Sequence, residues 1–249
     1  VSLKNISFMR NLLIAVLSAL LLPLGSAFAQ DPALTEDWSF KPPVVTPGKN
    51  QKPPSDAIVL FYRGRDLANW EGREGDPQWK TRCRRMIVNG TGDIRTKESF
   101  GDCQLHIEFR SPRRVESEGQ GRGNSGVYMQ SLYEVQILDS YENETYGNGQ
   151  AGSVYKQAAP LVNSSRKPGK WQSYDIIYHA PKFDEAGTLT DPATITMFHN
   201  GVLIQDHFVI QGGTVYAGEP TYQAHGELPL LLQDHGNPVQ YRNIWIRRL

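Results

Sequence analysis

The chain has 249 residues, 39% hydrophobic and 10% aromatic, with 26 basic side chains balanced by 26 acidic ones. That composition suits a globular protein with one sizeable core and excludes a disordered or collagen-like chain. Zero net charge, with no Lys/Arg cluster interleaved with aromatics, gives no electrostatic footprint for a nucleic-acid backbone, so no nucleic-acid partner is expected.

The first element in chain order is an apolar run, Leu12 to Leu24, that follows Arg10-Asn11 and ends in Ser26-Ala27-Phe28-Ala29 before Gln30. It is shorter than a membrane span, and a small-x-small cleavage sequence follows it, so residues 1–29 read as a secretory signal peptide. The expectation is an exported protein, periplasmic or extracellular, with no membrane partner after cleavage. Residues 30–56, carrying Pro32, Pro42, Pro43, Pro47, Pro53 and Pro54, cannot form a continuous helix and read as an extended leader to a domain over 57–249. Both cysteines, Cys83 and Cys103, fall in the exported part, where a disulfide is permitted; the spacing equally allows two separate thiols.

Beyond Pro54, short apolar or alternating runs recur between Gly, Asn, Asp and Pro clusters, with no helical period long enough to compete. In Cys103 to Arg110, Cys103, Leu105, Ile107 and Phe109 alternate with Gln104, His106, Glu108 and Arg110, giving one apolar and one polar face. Further strands are predicted at Ile58–Tyr62, Gly126–Gln130, Tyr133–Leu138, Tyr174–His179, Thr194–His199, Val202–Ile210 and Val239–Arg247. Asn200-Gly201 is a two-residue type I′ hairpin signal. Many strands without βαβ alternation predict a single antiparallel β-sandwich.

Three regions carry candidate chemistry. In Tyr133-Glu134-Val135-Gln136-Ile137-Leu138-Asp139, alternation puts Glu134 and Gln136 on one face and Asp139 on the other, unless a bulge brings it round. Retaining glycosidases on sandwich folds use two carboxylates on such a strand, although Gln136 stands where their motif has an acid. Leu230-Leu231-Leu232-Gln233-Asp234-His235-Gly236-Asn237 is an apolar strand ending in an amide, an acid and an imidazole, suited either to acid–base work or to a plain turn capped by Asp234 and Asn237. Asn124-Ser125-Gly126 follows a Gly-rich, charged stretch suited to rimming a groove and feeds a strand that alternation expects to point Tyr128 and Gln130 to one side. Tyr141, Tyr146, Tyr155, Trp171 and Tyr174 supply aromatic surface for sugar rings or for core packing. No G-x-S-x-G elbow supports a serine triad, and no H-E-x-x-H or H-x-H spacing announces a metal site.

The ordered series Leu60-Phe61-Tyr62-Arg63-Gly64-Arg65-Asp66-Leu67-Ala68-Asn69-Trp70, Gly101-Asp102, Gly123-Asn124-Ser125-Gly126-Val127, Tyr133 to Asp139, Gly152-Ser153-Val154-Tyr155, Trp171-Gln172-Ser173-Tyr174-Asp175, His199-Asn200-Gly201-Val202, Leu232 to Gly236 and Arg242-Asn243-Ile244-Trp245-Ile246 resembles the 3-keto-disaccharide hydrolase domain family over Ala57 to Leu249. The resemblance implies a concanavalin A-like jelly-roll sandwich and an enzyme cleaving glycosides already oxidised to a ketone at C3. Such chemistry removes the acidified C2 proton, expels the C1 substituent and adds water; it needs a base, enolate donors and an acid. For these roles the sequence offers Glu134 as base and His235 as acid or enolate donor, with Asp139 and Asp234 as alternatives or as residues that orient their neighbours. Asn124, Gln136, Tyr155, Trp171, Gln233 and Asp234 are the expected substrate-binding residues. Departures from the family pattern are Tyr62, Gln172 and the two cysteines, Gln172 being the most consequential.

Two other functions compete: direct retaining hydrolysis of β-glucans by Glu134 and Asp139, and a catalytically silent lectin-like module, since the fold supports both. No cofactor is required by the sequence; a divalent ion assisting the enolate would draw on His235, Asp234 or Glu134. The expected partner is a carbohydrate substrate, and the pattern is silent on oligomeric state.

Overall fold

The computed structural model describes residues 31–49 and 52–249 and divides the chain into two units, one ending at Val44 and the other running from Val45 to Leu249. The expected signal peptide lies outside the described residues. Residues 31–44 are almost wholly exposed, with one 3₁₀ turn at Pro32–Thr35 that Asp31 caps by accepting from the Ala33 N–H. Proline supplies no backbone N–H to a ladder, and residues 31–44 carry no strand.

The second unit is all-β: β1 (Ile58–Phe61), β2 (Trp70–Gly72), β3 (Lys80–Arg82), β4 (Arg85–Ile87), β5 (Ile94–Phe100), β6 (Cys103–Arg110), β7 (Ser125–Met129), β8 (Tyr133–Ile137), β9 (Gln172–His179), β10 (Lys182–Phe183), β11 (Leu189–Asp191), β12 (Thr194–His199), β13 (Val202–Val209), β14 (Leu228–Leu232) and β15 (Gln240–Arg248). An eight-stranded sheet runs β13-β12-β9-β6-β15-β4-β3, with β1 also on β15; a five-stranded sheet runs β2-β5-β14-β7-β8; β10 and β11 form a separate pair. All pairings within the two main sheets are antiparallel. This is the two-sheet sandwich that strand alternation predicts.

Alternation decides what lies between the sheets. Cys103, Leu105, Ile107 and Phe109 of β6 and Tyr174, Ile176 and Tyr178 of β9 are buried against Val127, Val135, Ile137, Leu230 and Leu232 of the smaller sheet. The Tyr174 hydroxyl donates across this core to the Gln136 carbonyl at 2.9 Å, tying β8 to the larger sheet. The β12–β13 turn is the expected hairpin: Asn200 and Gly201 have φ of 54° and 82°, and His199 pairs with Val202. β5 escaped the pattern because the strand itself is bulged: Ser99 pairs with Pro229 and Arg95 with Leu231, so β5 spends two residues more than β14 over that stretch and its apolar and polar positions fall out of phase.

Cys83 and Cys103 do not pair. Cys83 sits exposed in the β3–β4 turn with φ of 47°, whereas Cys103 opens β6 with its side chain buried in the core; both are free thiols.

Candidate active site

The site grows from the β7–β8 pair. In register, Tyr128 lies opposite Glu134 and Gly126 opposite Gln136. Tyr133, Val135 and Ile137 point into the core, so Glu134 and Gln136 point to the outer face of the smaller sheet. They are nevertheless only 4% and 1% exposed, because loops cover that face. The free edge of β8 is taken by the loop segment at 152–155: Gly152 N donates to Gln136 O, Gln136 N to Ser153 O, and Tyr155 N to Glu134 O at 3.0 Å. That pairing sets Tyr155 beside Glu134. Gly126 makes room, since a Cβ there would stand 2.7 Å from Glu134 Oε1 and 2.8 Å from the Tyr128 ring.

The resulting cleft, about 460 Å³, is lined by Gln120, Asn124, Tyr128, Glu134, Gln136, Tyr146, Tyr155, Lys156, Thr214, Tyr216, Gln233 and His235. Its one carboxylate is Glu134. Burial pushes this carboxyl up to about 7; the Asp93 charge adds to the rise, and the bond donated by the Tyr128 hydroxyl to Oε2 at 2.8 Å opposes it. Gln233 Nε2 donates in turn to the Tyr128 oxygen at 3.2 Å, completing a relay that fixes the carboxylate. Burial also raises the Tyr128 and Tyr155 phenols well above their ordinary range, so both stay protonated.

Opposite charge comes from Lys156, held at φ of 65° with its ammonium 4.0 Å from the centre of the Tyr146 ring and 5.7 Å and 5.4 Å from those of Tyr155 and Tyr216. The Tyr146 and Tyr155 hydroxyls share a 2.8 Å hydrogen bond. Gln136 donates to Gln120 Oε1 at 2.9 Å, and Asn124 donates to the Gln120 carbonyl at 2.7 Å. The Oε1 atoms of Gln136 and Gln233 are buried without any partner. Unpaired buried acceptors are costly to the fold.

The structure therefore unites Glu134, Gln136, Asn124, Tyr155, Gln233 and His235, the last on the exposed rim. It separates the other expected residues. Asp139 is not brought round by a bulge: β8 ends at Ile137, and Asp139 is buried in an ion pair with Arg122 Nε at 2.8 Å while accepting from Tyr141 N. Asp234 takes the turn role, accepting from Gly92 N and Gly236 N, outside the cleft. Trp171 lies just before β9 of the larger sheet, its ring under the guanidinium groups of Arg110 and Arg242.

Gln172 serves the fold: buried, its Oε1 accepts from Arg166 N and faces His199 Nε2 at 2.9 Å. Gln130 does not share the face of Tyr128, because it follows β7 in a left-handed turn and is buried between Tyr178 and the Phe100 carbonyl. Among the described residues, no three His, Cys, Asp or Glu side chains come together to hold a metal ion.

Lys156, Gln120, Thr214 and Tyr216 had no sequence signal. They sit in loops whose approach to β8 is fixed by long-range backbone bonds such as Thr214 N to Leu132 O. The adjacent Tyr155 was the nearest clue to Lys156.

Residues 56–247 match the 3-keto-alpha-glucoside-1,2-lyase-like domain. The chain belongs to that family. It is a carbohydrate-active protein on that ground. A proposed glycosyl hydrolase from Parabacteroides distasonis is 47% identical, with a TM-score of 0.85 over 88% of this chain and 97% of its own. Two other proposed glycosyl hydrolases of the same organism, 17% and 19% identical, share the fold, with TM-scores of 0.56 and 0.54 over 78% of this chain and 94% and 99% of theirs. No curated protein matches the sequence.

Proposed function

We propose that the cleft cleaves 3-keto-glycosides by elimination at C1 and C2 followed by hydration. The observation that carries this reading is the single carboxylate, Glu134, buried beside phenols and an ammonium and pushed up to about 7. A ketone at C3 makes the C2 hydrogen acidic, and a base whose proton affinity lies near neutrality is matched to removing it. Glu134 Oε2 is occupied by Tyr128, which orients the carboxylate and leaves Oε1, over Gly126, as the atom that takes the proton. The C2 electron pair moves onto the C3 oxygen as an enolate, returns to form the C1–C2 double bond, and expels the C1 oxygen with its substituent. Water adding across that double bond gives the free 3-keto sugar.

Lys156 and Tyr155 are the donors suited to the enolate oxygen, the first by charge and the second as a phenol held protonated. His235, at the open rim, suits protonation of a leaving oxygen whose substituent projects outward. Gln136 and Gln233, which line the cleft, suit contacts with ring hydroxyls. Direct retaining hydrolysis draws no support, because its second carboxylate, Asp139, is buried in the Arg122 ion pair away from the cleft. The sequence of residues 1–29 supports action outside the cytoplasm.

The test is phenol release from an aryl 3-keto-glucoside and from its unoxidised parent. The expected result is release from the ketone alone, reduced roughly 10²–10⁴-fold in Glu134→Gln, the range general-base catalysis supplies. Release from the parent, or full turnover by Glu134→Gln, overturns the mechanism. Binding of both sugars without release from either would establish a lectin-like module instead.

A further inference from the structure

Trp171, expected to bind substrate, lies outside the Glu134 cleft, and its surroundings carry a feature of their own. On the outer face of the larger sheet, strand register aligns Ile87, Gln240 and Arg110 in one row and Arg242 and Glu108 in the next. Trp171 precedes β9 beside Arg110, with Arg110 Cζ 4.8 Å and Arg242 Cζ 4.1 Å from its ring centre. Arg110 is held further by Gln240 Oε1, which accepts from both Nε and Nη2 at 3.1 and 2.8 Å. Arg242 is neutralised by Glu108 at 2.6 Å; among the described residues Arg110 has no such carboxylate.

A recess of about 470 Å³ opens beside this stack, lined by Arg110, Ser111, Arg113, Pro168, Gly169, Lys170 and Gln240. Three of these are cationic and none is acidic. Ser111 is 3% exposed, yet its hydroxyl oxygen has no hydrogen-bond partner; neither has the buried Arg85 Nε, whose charge acts on Arg110. The walls meet tightly: Gly169, at φ of 76°, donates to the Ser111 carbonyl at 3.2 Å, and a Cβ on it would lie 2.9 Å from Arg113 Cβ. Burial, with smaller contributions from the Arg85 and Arg242 charges, lowers Arg110 from the usual guanidinium range.

We propose that this recess is an oxyanion-binding site, taking a sulfate, phosphate or carboxylate group between Arg110, Arg113 and Lys170. It lies on the face of the sandwich opposite the Glu134 cleft, since both faces point away from the shared core. Oriented guanidinium donors match such groups geometrically, and an anion would relieve the repulsion among the cations. The group could be borne by an acidic saccharide or arrive as a free ion, and these sources are separable.

Titration calorimetry and thermal unfolding would be run with sodium sulfate, glucose 6-sulfate and glucuronate, sodium chloride holding the ionic strength constant. Saturable binding is expected in the native sequence, weakened at least tenfold in Arg113→Ala/Lys170→Ala, whose altered side chains are exposed and outside the core. Arg110→Gln should weaken it comparably. Because sulfate stabilises proteins generally, the difference between native and variant is the diagnostic quantity. Tighter binding of the sugar ligands than of sulfate supports a saccharide source, and equal binding supports a free oxyanion. Sulfate acting like chloride, or equally on the double variant and the native chain, overturns the proposal. Sugar-sulfate binding that survives the double variant would instead belong to the Glu134 cleft.

Discussion

A carboxyl group buried at 4% exposure is a burden on the fold, and Glu134→Gln measures it. Raising the folded-state carboxyl from 4.5 to about 7 corresponds, at about 1.4 kcal/mol per decade of proton affinity, to about 3 kcal/mol. The sign follows from which state holds the proton more tightly. The folded chain does, so stability is greatest below pH 4.5, falls as pH rises through the interval to 7, and is lower by that amount above it. Gln cannot ionise, keeps an oxygen to accept from Tyr128, and fills nearly the same volume. The variant should therefore match the native chain at pH 4 and exceed it at pH 8 by up to about 3 kcal/mol, several degrees in unfolding midpoint for a domain this size. Chemical denaturation at both pH values is the assay, with turnover measured alongside. A stability difference that is the same at pH 4 and pH 8 would refute the argument, because it would mean that Glu134 titrates alike in the folded and unfolded chains.

Gly126→Ala should disturb the same carboxylate sterically: a Cβ at 2.7 Å from Glu134 Oε1 forces Glu134 or Tyr128 to move, lowering stability by about 1–3 kcal/mol and turnover with it, as denaturation and phenol release would show. Asp175→Asn should destabilise through His106, where burial disfavours the charge but Asp175 at 2.6 Å and Glu108 outweigh it, bringing the imidazole up to about 9. That contribution is complete below pH 6.5 and disappears as pH rises through 9; with Asp175 partly exposed, about 1–2 kcal/mol should be lost at pH 6 and little at pH 10 in paired denaturation curves. Iodoacetamide should alkylate the native protein once, at exposed Cys83. Cys103 is buried and its thiol is pushed up to about 12, so intact-mass spectra should show the second adduct only after denaturation.

Sequence alone determined the sandwich, most of its strands, the Asn200-Gly201 hairpin and the outward face of Glu134 and Gln136. All of these rest on a period of two or on a two-residue turn, information local enough to survive without coordinates. The resemblance supplied the family, since ordered motifs need no geometry. Tertiary structure decided which polar residues meet. Gln120, Lys156 and Tyr216 reach Glu134 through loops closed over β7 and β8, while Asp139, in the same motif as Glu134, is diverted to Arg122 where β8 ends. Cys83 and Cys103 stay apart because one lies on a turn and the other in the core. Trp171, an aromatic expected to meet sugar, stacks under arginines because cross-strand register sets it beside Arg110. A strand pattern fixes which way a side chain points, but the neighbour it meets is contributed by a segment distant in sequence, and only packing brings that segment into place.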